Sequence, residues 1–451
     1  MKVNDKDRGA AEARAISGPQ SAPRALARPA RPWDLSEPHE CDWFGVLGDG
    51  LVVVWPPQAD REWPRAGGAW VHIAPSGAVT AFTGKVDVGL DSQTAFRLLV
   101  AEELAVDPDD VRVVQGDTDL CPYDAGTFGN RSIDGVGEAL RRAAGGVRQI
   151  LLGLAVARLG GPRVHLTTEK GAVVCGPSGL RLPYGTLVAG TRRAEVLTAE
   201  PRLTPAEDWS TASRPHAAAR LDVVTGARCF VSDMQLPGML HGAVLRLPVP
   251  GAVLRAVDCG SAEAMPGVTV VRDGEFIGVT AGDLVTVRQA LAAIKADWDE
   301  PAPGPADRAE CLRFHPVSGQ GWQRAVSSEM GDVEAGTAAA ATRVRAMYAT
   351  ARLAHVPPEA RAAVAEWDNG RLTVWTRTNA PFAVRAQLSN TFRISEAAIR
   401  VIVPPVGGGF GGSHGEVAIE AARLARITFR PVKVHWSDSA AVAGRRCSGE
   451  A

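Results

Sequence analysis

The seven cysteines of this 451-residue chain form no recognisable ligand pattern. They are odd in number and scattered, and no pair has the C-x-x-C spacing. This argues against a disulfide framework, a zinc knuckle and a plant-type iron–sulfur cluster. We therefore expect a reducing compartment, and any iron–sulfur cluster that the chemistry requires must lie in another subunit.

The chain also lacks an excess of charge and a long apolar run. It has 49 Lys and Arg against 50 Asp and Glu, which gives no reason to expect nucleic acid or an anionic membrane as partner. No apolar run approaches the roughly 18 residues of a membrane span. The nearest candidate, residues 44–55, is interrupted by Asp49 and follows acidic residues, which is atypical of a signal peptide. We predict a cytoplasmic protein without a membrane span, with export as the alternative.

The length of the chain is sufficient for two to four domains. An N-terminal stretch rich in Ala, Arg, Pro and Ser predicts a mostly disordered tail. Changes of pattern then divide the rest. The predicted segments are the tail 1–66, modules at 67–205, 215–300 and 329–437, a linker at 301–328, and an aberrant tail at 438–451.

Hydrophobic periodicity predicts a mixture of helices and short strands. Strands are predicted at 78–84, 111–114, 267–271, 276–280, 371–375, 399–403 and 431–436. Helices are predicted at 138–159 and 382–392, at the stretch containing Phe96, Val100 and Leu104, at that containing Val287, Leu291 and Ile294, and at that containing Val417, Ala421 and Leu424. The pattern indicates an α+β protein.

The glycine run Gly407–Gly412, with Phe410 inside it, stands between a predicted strand and a predicted helix. Glycine lets backbone approach a ligand closely, and a helix N-terminus favours an anion. A flexible turn is the plainer interpretation. A P-loop is excluded because no Lys-Ser/Thr pair follows, and too few residues remain for a Rossmann domain. Ser413 and Glu416 also fit a purely structural capping box.

A second group of motifs lies nearer the N-terminus. It comprises GKVDVG at 84–89, Thr94, VAEEL at 100–104, GDT at 116–118 and GTFGNRS at 126–132. Taken singly, these motifs are turns and helix caps. Their order and spacing, however, identify a family.

Together the segments resemble the molybdopterin-binding subunit of the xanthine dehydrogenase and aldehyde oxidase family, most closely its isoquinoline 1-oxidoreductase branch. Residues 84–120 resemble that branch's first cofactor segment, and 220–252 the start of the a/b hammerhead domain. The first cofactor domain is matched by residues 354–367, 377–392 and 404–425. The resemblance implies a hammerhead domain at 215–300. It would be flanked by an N-terminal segment of the cofactor domain at 67–205 and an incomplete first cofactor domain at 329–437.

The resemblance also implies a reaction. Molybdenum held through a pterin, in the cytosine dinucleotide form, hydroxylates an N-heteroaromatic or aldehyde carbon with oxygen from water, and a glutamate acts as base. The family passes the electrons to [2Fe–2S] clusters, here expected on a small partner subunit. A cofactor-insertion chaperone is a further expected partner.

The resemblance assigns cofactor-binding residues but no direct protein ligand to the metal. The assigned residues are Gly89, Gly126, Thr127, Phe128, Gly129, Asn379, Gly408, Gly409, Phe410, Gly411 and Gly412. His355 and Arg361 match a segment near the substrate cavity, although a core histidine is an equal alternative. Three residues depart from the family pattern: Leu90 and Asn379 replace glutamines, and Ser413 replaces a lysine.

The chain ends 15 residues after Trp436, before the position of the family's catalytic glutamate. Capping and solvation explain Glu416 and Glu420 better than catalysis does. We hypothesise a frameshift near Ser437, and we expect poor solubility when the chain is produced alone. The alternatives are a non-catalytic remnant and a binding or assembly partner for an iron–sulfur subunit.

Overall fold

The fold is taken from a computed structural model. It describes residues 43–56, 68–129, 131–160, 162–210, 221–249, 251–301, 330–346, 357–410 and 415–436. The described residues fall into two compact units. The first combines the chain up to Phe230 with Asp368–Val406, and the second combines Val231–Trp367 with the chain from Gly407 onward.

A five-stranded mixed sheet forms the centre of the first unit. Its strands are β1 (Gly50–Trp55), β2 (Ala69–Ile73), β3 (Val79–Thr83), β4 (Val111–Gln115) and β8 (Arg192–Val196), in the order β4-β3-β2-β1-β8. β2 pairs antiparallel with β1 and β3, whereas β3–β4 and β1–β8 are parallel pairs. Every residue of β1 is buried, as expected for a strand that is covered on both faces.

Helices α2 (Ser92–Leu104), α3 (Glu138–Leu159) and α4 (Tyr184–Val188) cover one face of this sheet. Helix α1 (Trp43–Leu47) packs on the other face through Phe44 and Leu47. The short helix α5 (Leu221–Val224) lies near the end of this part of the unit's chain. α3 packs against β1, β2 and α2. Its buried face carries small residues, among them Ala143, Ala144 and Gly146, which allow close approach to the sheet. A π-helical turn at Ser132–Gly137 leads into α3.

Smaller elements complete this part of the unit. Three antiparallel strands, β5 (Leu166–Glu169), β6 (Ala172–Cys175) and β7 (Arg181–Pro183), form a separate sheet. Short 3-10 turns lie at Pro108–Asp110, Arg163–His165 and Ala206–Asp208.

The segment Asp368–Val406 joins the first unit through polar contacts with the loop that follows β4. It contains β15 (Arg371–Thr376), α9 (Pro381–Phe392), a 3-10 turn at Glu396–Ala398 and β16 (Ile399–Ile402). Thr118 exchanges two hydrogen bonds with Val401, one from its amide and one to its hydroxyl. The Arg400 guanidinium donates to both carboxylate oxygens of the buried Asp117. These contacts explain why residues so distant in sequence fold together.

The second unit contains strands in the neighbour order β11-β12-β9-β17-β14. Their bounds are β9 (Leu240–Val244), β11 (Thr269–Asp273), β12 (Phe276–Ala281), β14 (Ala362–Asp368) and β17 (Val432–His435). A separate antiparallel pair, β10 (Val253–Asp258) and β13 (Lys295–Asp299), is bulged between Leu254 and Ala256.

The helices of the second unit are α6 (Gly260–Glu263), α7 (Leu284–Ala293), α8 (Val333–Ala339) and α10 (Glu416–Thr428), with a 3-10 turn at Val231–Asp233. Asp283 caps α7 by accepting a hydrogen bond from the Thr286 amide at 2.8 Å. α10 packs on β9, β12 and β17, and it buries the predicted apolar face of Val417, Ala421 and Leu424.

The α+β class is confirmed, and helix α3 has the predicted bounds. The prediction of a mostly disordered tail at 1–66 is wrong for residues 50–55, because β1 lies inside the sheet. The predicted module 329–437 is divided between the two compact units. Most of the predicted linker 301–328 and the whole tail 438–451 lie outside the described residues.

Candidate functional site

Two loops leave the same end of the sheet in the first unit. β3 ends at Thr83 and β4 at Gln115, and the two strands are parallel neighbours. The loop 84–91 follows β3 and the loop 116–129 follows β4, so both start at the carboxyl end of the pair. Ligands commonly bind at such an edge. The predicted residues Gly89 and Gly126–Gly129 therefore lie on adjacent loops.

Thr127 connects three parts of this site. Its amide donates to the Asn379 carbonyl at 2.8 Å, and the Asn379 side-chain amide donates to the Thr127 carbonyl at 3.3 Å. The Thr127 hydroxyl oxygen accepts from the Val86 amide at 3.0 Å. The Asn379 Oδ1 atom is buried and has no hydrogen-bond partner among the described residues. The structure thus brings together two predicted positions, Thr127 and Asn379, and leaves one acceptor free.

A buried ion pair lies beneath this loop. The Lys85 ammonium donates to Asp124 Oδ1 at 2.9 Å and to the Gly126 carbonyl at 2.7 Å. Asp124 Oδ1 also accepts from the Gly126 amide at 2.8 Å. The two side chains are 6% and 0% exposed. Neither was predicted as a site residue, although a lysine two positions after a buried strand is a signal that could have identified Lys85.

Gly126 has a backbone conformation that glycine favours. Its φ angle is +137°, and an added Cβ would lie 2.3 Å from the ring of Phe128. The ring therefore folds back over Gly126, yet 48% of Phe128 is exposed. Gly129 follows, also with positive φ. The loop presents an aromatic side chain supported by glycine backbone.

The loop around Gly89 is held by an internal carboxylate. Asp87 Oδ1 accepts from the amides of Gly89, Leu90 and Asp91 at 3.0, 3.0 and 3.1 Å. The Gly89 amide is therefore already bonded within its own loop. Leu90, which stands where the resemblance expects a glutamine, is 56% exposed.

Glu359 holds the start of the glycine run in the second unit. The Gly407 amide donates to Glu359 Oε2 at 2.7 Å, and the Glu359 amide donates to the Gly407 carbonyl at 3.3 Å. Gly409 is buried and Gly408 partly buried, whereas Phe410 is 64% exposed. Glu359 was not predicted as a site residue, although it lies in the segment 354–367 that the sequence matched to the first cofactor domain. Gly411, Gly412 and Ser413 lie outside the described residues.

One sequence interpretation of this region is wrong and one stays a prediction. α10 has its N-cap at Gly415. Because Ser413 lies outside the described residues, the proposed capping box of Ser413 and Glu416 stays a prediction. Glu420 is not solvated: it is buried, forms an ion pair with Arg246 and accepts from the Trp436 indole at 2.8 Å. The Arg246 guanidinium also stacks on the Trp436 ring, 4.3 Å from its centroid, so packing and ion pairing account for Glu420.

The residues predicted near the substrate cavity receive little further support. The Arg361 guanidinium lies 5.3 Å from the Trp436 ring centroid and 3.8 Å from a Glu416 carboxylate oxygen, so local packing accounts for it. His355 lies outside the described residues. Among the residues that the structure describes, no group of His, Cys, Asp or Glu could hold a metal ion, and no helix is long and apolar enough to cross a membrane.

Comparison with known protein families finds a match in the N-terminal half of the chain and another in its C-terminal part. Residues 37–230 match one family of molybdopterin cofactor-binding domain, and residues 315–446 match another. The first match starts before β1, in agreement with the position of that strand in the sheet.

Curated relatives agree with these matches. A nicotinate dehydrogenase subunit of Pseudomonas putida is 32% identical, over 81% of this chain and 31% of its own length. The beta subunit of isoquinoline 1-oxidoreductase from Brevundimonas diminuta is 28% identical, over 82% of this chain and 54% of its own length. Among solved structures, quinoline 2-oxidoreductase from Pseudomonas putida 86 is 25% identical, covering 50% of this chain and 34% of its own, with a TM-score of 0.40.

The chain therefore belongs to the molybdopterin-binding subunits of the xanthine dehydrogenase and aldehyde oxidase family. It spans about a third to a half of the length of the two curated relatives named above.

The site in the first unit is chemically compatible with a pterin. A pterin carries N–H donors, and the buried Asn379 Oδ1 is an acceptor without a partner among the described residues. Phe128 adds an exposed aromatic face beside glycine backbone, which a flat ring system can approach closely. On these observations the residues present fit the cofactor.

Proposed function

We propose that this chain holds the molybdopterin cofactor of a molybdenum hydroxylase, and that the loops 84–91, 124–129 and 377–380 of the first unit supply the contacts. The observation that carries the proposal is the pair of hydrogen bonds between Thr127 and Asn379, residues separated by 252 positions. It joins two segments that the sequence assigned independently to the same cofactor.

The residues of the site would have distinct roles. Asn379 Oδ1 accepts a hydrogen bond from the pterin, and Thr127 fixes the orientation of Asn379 through its backbone. The Phe128 ring covers one side and excludes water. When bound, the molybdenum cofactor supplies the transfer of a water-derived oxygen to an electron-poor carbon with removal of two electrons. The glycine run with Gly408, Gly409 and Phe410 is a further proposed contact.

Of the two substrate classes, we propose an N-heteroaromatic compound in preference to an aldehyde. Support comes from the names of two relatives, a nicotinate dehydrogenase and an isoquinoline oxidoreductase, whereas a less similar relative is an aldehyde oxidoreductase at 28% identity over 51% of the chain. The cytosine dinucleotide form of the cofactor, a small [2Fe–2S] partner subunit, an insertion chaperone and a cytoplasmic location complete the proposal. Relatives that are named as subunits support the expectation of partners.

Cofactor retention tests the proposal without requiring turnover. The full chain is produced in a host that synthesises the cofactor, and molybdenum and pterin are measured per purified chain. We expect the wild-type chain to retain pterin and Asn379→Leu to retain about tenfold less, as for loss of one buried hydrogen bond. Asn390→Leu, at an exposed position of α9, is the control and should retain the wild-type amount. A wild-type chain without pterin would refute the proposed function.

A further inference from the structure

Lys85 and Asp124 form a buried ion pair at the point where the loops after β3 and β4 meet. The two loops touch closely there: a Cβ at Gly84 would lie 2.4 Å from the Pro122 carbonyl oxygen and 2.6 Å from the Asp124 Cβ atom. A side chain at position 84 would force the loops apart. The sequence thus combines a glycine that permits contact with a lysine that fixes it.

The ion pair reaches the proposed cofactor contacts through a short series of hydrogen bonds. Lys85 binds the Gly126 carbonyl, and Asp124 binds the Gly126 amide, so both sides of this residue are held. The next residue, Thr127, is bonded to Val86 on one side and to Asn379 on the other. Displacing Gly126 would therefore displace Thr127, and with it the orientation of Asn379.

A buried ion pair of this kind contributes little to the free energy of unfolding, so stability alone is a weak explanation for its presence. Desolvation of two charges commonly cancels their attraction, and apolar residues of similar volume often replace a buried pair without loss of stability. The geometric effect differs, because an ammonium with two fixed acceptors defines a distance and a direction that apolar packing does not define.

We propose that Lys85 is a positioning residue, which with Asp124 fixes the backbone at Gly126 and Thr127 in the conformation that presents Asn379 to the cofactor. The inference rests on the proposed function of the site. Lys85 itself makes no contact with the cofactor in this proposal and acts through Gly126.

The double variant Lys85→Met/Asp124→Leu separates positioning from folding, because it leaves no unpaired buried charge. Three quantities are measured on the full chain: the melting temperature, amide hydrogen exchange across 121–130, and pterin per chain. We expect a modest fall in melting temperature, because the buried Gly126 amide and carbonyl lose their side-chain partners. We also expect exchange at Gly126 and Thr127 to be faster by about tenfold or more, and pterin per chain to be about tenfold lower.

Arg246→Met/Glu420→Leu is a matched control in the second unit. It removes another ion pair and likewise leaves one donor, the Trp436 indole, without its acceptor. Exchange across 121–130 should stay at the wild-type rate in this variant. An equal acceleration there in both double variants would overturn the proposal, since the effect would then reflect general loosening.

The failure of this inference can be distinguished from failure of the proposed function. Unchanged exchange across 121–130 in the Lys85→Met/Asp124→Leu variant, or faster exchange with undiminished pterin, would overturn the role of Lys85 while the proposed function stands. A wild-type chain without pterin would overturn both.

Discussion

The two loops that the sequence assigned to the cofactor are held in different ways. Loop 124–129 is fixed by a buried ion pair and by the hydrogen bonds between Thr127 and Asn379. In the glycine run, the described part from Gly407 to Phe410 is held at one end by Glu359, and its aromatic residue is more exposed than Phe128. The side chains that hold the described parts of the two loops therefore differ: a buried ion pair and an amide act on loop 124–129, and a carboxylate binds the start of the glycine run.

The difference between the two loops follows from the properties of glycine, which permits many backbone conformations but does not fix one. Glycine removes steric barriers but contributes no side chain that could fix one conformation. Defined geometry needs polar or packed side chains, which at loop 124–129 come from positions as distant as Lys85 and Asn379. We accordingly expect loop 124–129 to be preorganised, and the glycine run to take its final conformation with a ligand.

The largest expected effect comes from removing one charge of the buried pair. Asp124→Leu leaves the Lys85 ammonium buried without its carboxylate, so we expect the first unit to lose about 3–5 kcal/mol of unfolding free energy. Chemical denaturation followed by near-UV signals measures it. Asp109→Leu is the control: Asp109 pairs with Arg97 at 3.7 Å but is 93% exposed, and its loss should cost under about 0.5 kcal/mol. Equal costs for both variants would contradict this account of loop 124–129.

A smaller effect is expected at the glycine run. Glu359→Ala removes the acceptor of the partly buried Gly407 amide, and we expect a cost of about 1 kcal/mol, at the lower end of the range for a donor left unsatisfied. Glu359→Gln keeps an oxygen acceptor and should recover most of that loss. Denaturation of the second unit is the measurement. A cost at Glu359 that exceeds the cost at Asp124 would reverse the comparison between the loops.

Local structure was the part of the fold that the sequence predicted well. α3 and β4 were predicted from periodicity alone, because each has a regular apolar face. β1 was missed for the opposite reason: it is buried on both faces and reads as a continuous apolar run, which resembles a signal segment more than an alternating strand. Its role becomes evident only from the pairing with β2 and β8.

The tertiary contacts at the site were harder to predict from the sequence than the local structure was. The family resemblance placed Thr127 and Asn379 near one cofactor, and the structure brings them into direct contact. The ion pair of Lys85 with Asp124 could not be read from the chain, because nothing in either local pattern specifies a partner 39 positions away. Likewise the attachment of residues 368–406 to the first unit depends on Asp117 and Thr118, which look like ordinary turn residues.

The third prediction concerns the stability of the first unit at acid pH, which we expect to depend on His72. Burial lowers the pKa of His72 below 6.5, and its Nε2 atom lies 3.2 Å from the Asp49 carbonyl oxygen. Because protonation favours the unfolded chain, the contribution of neutral His72 is complete above pH 6.5 and is lost as the pH falls below it. The loss reaches at most about 1.4 kcal/mol for each pH unit.

His72→Gln should flatten this dependence. The variant does not titrate, so its melting temperature should fall less between about pH 7.5 and 5.5 than that of the wild-type chain. His241, on β9 of the second unit, also has a pKa lowered by burial and by Lys433, and His241→Gln provides the comparison for that unit. Parallel pH profiles for the wild type and His72→Gln would show that His72 does not contribute.

The smallest effects on stability are expected at the two aromatic residues, where the loops should differ in ligand binding instead. Phe128 and Phe410 are both largely outside the core, so Phe128→Ala and Phe410→Ala should each change the unfolding free energy by less than about 0.5 kcal/mol. If loop 124–129 is preorganised, Phe128→Ala should speed pterin loss from the loaded chain, because the site is already formed and loses one wall. If the glycine run orders only with ligand, Phe410→Ala should mainly slow pterin capture. The measurement is the rate of pterin association and the rate of pterin dissociation for both variants. If both variants change the same rate, the two loops do not differ in preorganisation.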